Sequence, residues 1–78
     1  MNREAILKLQ EFAGELKSML GDDLITVIIF GSVLKSKNFD DVDVLVIAKN
    51  SQKYMEKIRR IRLKYRKKMG RFIDLNIT

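Results

Sequence analysis

Two short apolar runs, LITVIIF at 24–30 and VDVLVI at 42–47, most constrain what this chain can fold into. Both are rich in β-branched residues and have the length of a strand. Neither could cross a membrane as a helix, because a spanning helix needs about 20 apolar residues. An amphipathic segment with helical spacing precedes the first run at 3–20, and another follows the second at 50–69. A third run, FIDLNI at 72–77, alternates as a strand does.

The order of these segments is helix, strand, short helix or loop, strand, helix, strand. It predicts an α/β (α+β) fold, in which the helices pack on one face of a small mixed β-sheet of about three strands. Asn2 would cap the first helix and Asn50 or Ser51 the second. Gly21 and Gly70 would end the two helices in the left-handed conformation. We expect residues 1–78 to form a single minimal domain.

The chain of 78 residues contains neither cysteine nor histidine. This composition excludes disulfides, Cys/His zinc sites and nucleophilic catalysis that relies on a histidine base. Any metal site would have to use carboxylates, which favour hard cations such as Mg²⁺ or Mn²⁺. Hydrophobic residues make up 46% and charged residues 33%, as in folded soluble domains. With no apolar span and no secretory signal, we expect a cytoplasmic protein without membrane contact.

The net charge of +6 is concentrated in one segment. Residues 53–71 contain ten lysines and arginines against a single acid, which gives this segment +9 and leaves the rest of the chain at −3. The segment admits three interpretations: a solvated outer face, a surface for tRNA, DNA or an acidic partner, or a contact between subunits. Leu63 lies in the centre of the basic face, and Arg62 lies beside the apolar stripe, from which it could reach toward the sheet.

Three aspartates stand where a sheet would ordinarily carry apolar residues. Asp41 and Asp43 flank Val42 at the start of a strand and therefore share one face, about 6–7 Å apart. Asp74 interrupts the third strand and faces away from its apolar neighbours. A register that places Asp74 beside Asp43 would gather three carboxylates, whose mutual repulsion a divalent metal would relieve. The alternative is that these aspartates are solvated or cap turns.

Gly31 and Ser32 directly follow the first apolar strand. Glycine permits close approach of the backbone to a ligand, and a serine hydroxyl adds a donor for phosphate. A short helix beginning at Ser32 would turn free N–H groups toward an anion. Gly-Ser turns are common at strand exits, so the weight of this pair comes from its position shortly before Asp41 and Asp43.

The combined pattern resembles the nucleotidyltransferase superfamily of DNA polymerase beta, and within it the minimal nucleotidyltransferases of prokaryotes. The matching elements are the strand ending IIF-Gly31-Ser32, eight intervening residues, Asp41-Val42-Asp43 in a strand, and Asp74 in a later strand. The resemblance covers residues 24–77, and the leading helix also fits the family.

The resemblance implies the following roles. Gly31 and Ser32 would hold the triphosphate of a nucleoside triphosphate, together with Lys35, which stands where members often carry an arginine. Asp41 and Asp43 would bind two Mg²⁺ ions. Asp74 would ligate the metal nearer the acceptor hydroxyl and help to deprotonate that hydroxyl. The reaction would transfer a nucleoside monophosphate to a hydroxyl acceptor on a partner protein or RNA, and pyrophosphate would leave.

Two alternatives remain open beside this enzyme. The chain could be a non-catalytic subunit or antitoxin of the same fold, because small prokaryotic members resemble the partners of helical HEPN proteins in toxin–antitoxin pairs. It could also be a basic nucleic-acid-binding domain that uses 53–71 and in which the aspartates are incidental. A chain of this size has a small core, so a helical protein partner or a homo-oligomer would add stability.

Overall fold

The structure is a computed structural model that describes residues 3–31 and 41–78. The expected cap at Asn2 and the connection at 32–40 lie outside the described residues. The elements, in chain order, are α1 (Arg3–Leu20), a 3₁₀ turn (Gly21–Asp23), β1 (Leu24–Phe30), β2 (Asp41–Ala48), α2 (Ser51–Met69) and β3 (Phe72–Ile77).

The three strands form one mixed sheet in the order β1-β2-β3. β1 runs antiparallel to β2, with an irregularity in the ladder between Leu24 and Thr26. β3 runs parallel to β2, and α2 provides the long crossover that a parallel pair requires. The expected α+β class, with a small mixed sheet of three strands, is confirmed.

The helices pack on one face of this sheet and form a single core with it. On β2 the valines alternate inward, and on β3 Ile73 does the same, so both strands turn the same face toward the helices. The buried members are Ala5, Leu9, Phe12, Leu16, Leu20, Val42, Val44, Val46, Ala48, Ile58, Tyr65 and Ile73. The other face of the sheet is left without a covering layer among the described residues.

The ends of the helices follow glycine geometry, but the expected side-chain cap of α2 does not form. Gly21 and Gly70 adopt positive φ angles of 58° and 65°, as the termination pattern predicted. Asn50 occupies the N-cap position of α2 with φ 54°, and its side chain makes no capping hydrogen bond. A capping residue normally has an extended backbone, which directs its side chain at the first turn. The left-handed Asn50 instead serves the tight turn from β2 into α2.

Contacts along the two helices show that α1 and α2 run antiparallel. Phe12 and Tyr65 pack with ring centroids 5.5 Å apart. Lys64 donates to Glu15 at 2.6 Å, and this hydrogen bond lowers the pKa of Glu15 and raises the pKa of Lys64. Neither helix is long and apolar enough to cross a membrane, and these are the only two among the described residues.

Candidate active site

The uncovered face of the sheet carries the candidate site. Because side chains alternate along a strand, the residues between the inward-facing positions of each strand share this face. They combine three acids and one amide with large apolar side chains: Ile28, Phe30, Asp41, Asp43, Leu45, Ile47, Phe72, Asp74 and Asn76. A surface that only contacts water rarely combines carboxylates with so many large apolar side chains.

β3 pairs with β2 in a register that places Asp74 directly beside Asp43. Neighbouring strands lie about 4.8 Å apart, so the two carboxylates begin from adjacent backbone positions. Asp41 is two residues before Asp43 on the same face, where its neighbour on β3 is Phe72. Asp43 is half-buried, while Asp41 and Asp74 are exposed. The sheet therefore aligns all three aspartates at the end where β2 and β3 begin.

The donor set suits a hard divalent cation that is completed by a substrate. Among residues 3–31 and 41–78, no three acidic side chains stand close enough together to hold one ion by themselves. Mg²⁺ in phosphoryl-transfer sites is commonly held by one or two carboxylates plus phosphate oxygens and water. The adjacent pair Asp43 and Asp74, with Asp41 beside them, fits that arrangement better than an all-protein cage.

Gly31 makes room for the carboxylate of Asp43. The residue ends β1 with φ 91°, a backbone conformation that other residues rarely adopt. A Cβ built at this position would overlap one carboxylate oxygen of Asp43 and lie 3.2 Å from its Cγ. The sequence suggested that this glycine allows a ligand to approach the backbone. The structure adds that the group already in that space is the side chain of Asp43.

The remaining predicted nucleotide-binding residues, Ser32 and Lys35, lie outside the described residues. Their positions relative to the aspartates stay predictions. Of the sequence-predicted site, the structure brings together Gly31, Asp41, Asp43 and Asp74.

Two arginines that the motif did not include stand beside this face. Arg62 of α2 donates to the carbonyl oxygen of Ile73 at 3.3 Å, at the outer edge of β3. The guanidinium carbons of Arg62 and Arg66 lie 5.8 Å and 5.0 Å from the ring centroid of Phe72. The position of Arg62 beside the apolar stripe indicated its turn toward the sheet. No sequence signal indicated that Arg66 meets the same ring.

A separate groove of about 930 Å³ opens between α1 and α2, lined by residues such as Gly14, Met19, Ile61 and Tyr65. It lies in the helical layer, whereas the aspartates lie on the opposite face of the sheet. The groove therefore does not belong to the candidate site.

Comparison with known protein families agrees with this geometry. Residues 9–77 match the family model described as nucleotidyltransferase domain, which covers nearly the whole chain. The chain belongs to the nucleotidyltransferase family. The family match includes β1, β2 and β3, and with them every described residue of the candidate site.

One curated relative of this nucleotidyltransferase comes from Methanocaldococcus jannaschii and carries the provisional name protein adenylyltransferase. It is 49% identical over 47 residues, which is 58% of this chain and 32% of the relative. The chain thus spans about a third of that protein's length. No solved structure matches the chain with significance.

Proposed function

We propose that this chain catalyses Mg²⁺-dependent transfer of a nucleoside monophosphate from a nucleoside triphosphate to a hydroxyl group. The observation that carries the proposal is the side-by-side placement of Asp43 and Asp74, with the Asp43 carboxylate lying in the space that the missing side chain of Gly31 leaves. Membership of the nucleotidyltransferase family supports the reaction class. The metal agrees with the chemistry of the donors, and the residue roles are those that the resemblance to the family implies.

In the proposed reaction, the acceptor hydroxyl oxygen bonds to the α-phosphorus while the bond to the β-phosphate oxygen breaks and pyrophosphate leaves. Asp74 takes up the hydroxyl proton, which makes the oxygen a better nucleophile. Asp43 and Asp74, with Asp41 beside them, would hold Mg²⁺ together with phosphate oxygens of the substrate, and the metal would supply charge neutralisation for the attacking and leaving oxygens. Gly31, Ser32 and Lys35 bind the triphosphate.

The proposed acceptor hydroxyl belongs to a partner protein or to RNA. The transfer chemistry is the same for both, so the reaction class does not choose between them. The name of the archaeal relative favours a protein acceptor. Exposed apolar side chains around the aspartates favour a covering partner: Phe30, Ile28 and Phe72 each keep 42% of their surface accessible. A helical HEPN-type protein or a second copy of the chain would fill this role.

Titration calorimetry with ATP, CTP, GTP and UTP in the presence of Mg²⁺ tests the proposal. We expect the chain to bind at least one of them, and we expect EDTA or Asp43→Asn to reduce that binding strongly. Asp22→Asn is the matched control, because Asp22 is an exposed carboxylate in the turn before β1. Its nucleotide binding should equal that of the unaltered chain.

Failure to bind any nucleotide with the partner present would overturn the proposal. The second candidate, a non-catalytic subunit or antitoxin, is favoured by the same apolar face. In that case the double variant Asp41→Asn, Asp43→Asn would keep the biological activity of the chain, whereas an enzyme would lose it.

A further inference from the structure

Eight of the nine basic residues of α2 form two rows on different sides of the helix. Arg59, Arg62 and Arg66 are spaced by three and four residues, so they lie on one side. This side faces the outer edge of β3, as the contacts of Arg62 with Ile73 and Phe72 show. A second set is spaced by three or four residues along another side, toward solvent and α1: Lys53, Lys57, Arg60, Lys64 and Lys67.

The two sides differ in how their charges are used. On the lysine-rich side, Arg60 pairs with Glu56 at 3.2 Å and Lys64 pairs with Glu15 at 2.6 Å. Within the described ranges, neither Arg62 nor Arg66 forms an ion pair. A guanidinium has five N–H donors, yet the described residues offer Arg62 one acceptor, and its buried Nε has none.

The arginine side ends beside the candidate active site. Phe72, which both guanidinium groups approach, is next to Asp41 in the sheet and two residues before Asp74. Gly31 stands on the opposite flank, at the end of β1. The aspartates therefore lie between a glycine turn on one flank and an arginine–phenylalanine group on the other.

We propose that Arg59, Arg62, Arg66 and Phe72 bind the phosphate backbone of a single-stranded nucleic acid. Arginine binds phosphate through two parallel N–H groups, and this row repeats its charge about every 4.5–6 Å along the helix. The exposed part of the Phe72 ring offers a stacking surface for a base. A nucleic acid supplies both phosphates for the arginines and bases for the ring, whereas an acidic peptide supplies carboxylates without bases.

The location of this surface also has a consequence for the reaction. A strand bound there would reach the aspartates from the Asp74 side, and its terminal hydroxyl would then be the RNA acceptor that the proposed function names beside a protein acceptor. This consequence rests on the proposed function, whereas binding of the strand does not.

Fluorescence anisotropy with a short labelled single-stranded RNA of mixed sequence, without Mg²⁺ or nucleotide, tests the surface. We expect Arg66→Gln to weaken binding about tenfold, the loss of one charge-assisted hydrogen-bonding group. The slope of the logarithm of the binding constant against the logarithm of the salt concentration should decrease in magnitude by about one. Arg60→Gln is the matched control, because it removes the same charge from the lysine-rich side and should change the affinity less than about twofold.

A further variant distinguishes RNA binding at this surface from non-specific electrostatic attraction to a basic protein. Phe72→Leu keeps an apolar side chain but removes the ring, so binding should weaken while circular dichroism shows the fold unchanged. Equal losses for Arg66→Gln and Arg60→Gln would overturn the proposal, and so would absent RNA binding or tighter binding of a labelled acidic peptide. Since the assay contains no nucleotide, its failure would leave the calorimetric test of the proposed function standing.

Discussion

At the scale of single residues, Gly31 and Asp43 form the decisive pair. Gly31 combines a left-handed backbone with a lack of space for a side chain, and the atoms nearest to its Cβ position all belong to Asp43. Asp43 in turn lies between Phe30 and Asp74 in the sheet register. The Asp43 carboxylate can therefore take its position only because Gly31 has no side chain.

We predict that Gly31→Ala reduces Mg²⁺-dependent nucleotide binding, because the new methyl group would displace the carboxylate of Asp43. The positive φ should also cost about 1–2 kcal/mol of stability. Gly70→Ala provides the control, since Gly70 has φ 65° but open space around its Cβ position. It should lose similar stability in urea unfolding yet retain nucleotide binding in calorimetry; equal binding losses would contradict the steric explanation.

At the scale of elements, the pairing of α1 with α2 combines an apolar contact with an ion pair. Phe12 packs on Tyr65 inside, and Glu15 meets Lys64 at the surface. Burial raises the pKa of Tyr65, while the hydrogen bond from Lys64 holds the pKa of Glu15 below its ordinary value of 4.5. Because the folded state binds this proton less tightly, the pair stabilises the fold above about pH 4.5 and stops doing so as the pH falls through the lowered pKa.

We predict that Glu15→Gln makes the melting temperature less dependent on pH on the acid side of pH 4.5. At neutral pH the variant should melt slightly lower, because Lys64 loses its charged acceptor and both groups are partly exposed. Glu11→Gln is the comparison, since Glu11 is an exposed acid on the same helix. Thermal unfolding followed by circular dichroism across the acid range checks this, and identical pH profiles for the two variants would disprove it.

At the scale of the whole molecule, one small core holds both helices and all three strands. Phe12 is fully buried and belongs to the same cluster as the valines of β2 and Ile73. A domain of this length has a stability of about 4–12 kcal/mol, so a single large core deletion removes much of it. The candidate site depends on this core because the aspartates sit on the reverse side of the strands that form it.

We predict that Phe12→Ala lowers the free energy of unfolding by about 3–5 kcal/mol, because it leaves a cavity in the core. Leu63→Ala should change stability by less than about 0.5 kcal/mol, because Leu63 lies 45% exposed on the basic face. Urea unfolding followed by circular dichroism compares the two. A change of less than about 1 kcal/mol in the free energy of unfolding of Phe12→Ala would contradict the prediction, because it would mean that the core closes the cavity left by the ring.

The elements of this fold and the choice of its acidic residues could be predicted from the sequence. Periodicity located both helices and β3, and apolar runs rich in β-branched residues located β1 and β2. Glycines marked the helix ends, since they adopt the left-handed conformation readily. The aspartates stood out because they interrupt strands that are otherwise apolar. Of the two capping residues expected for α2, Asn50 or Ser51, Asn50 occupies the N-cap position, but its side chain makes no capping hydrogen bond because its backbone is left-handed.

Only the tertiary structure decided how these parts meet. The strand order and the register of β3 place Asp74 beside Asp43, and no local pattern specifies a pairing between residues 31 positions apart. The contact of Gly31 with Asp43 and the meeting of two arginines at Phe72 likewise join elements that are distant in sequence. Local sequence determines which face of each element is apolar, whereas relative positions follow from packing all elements around one core.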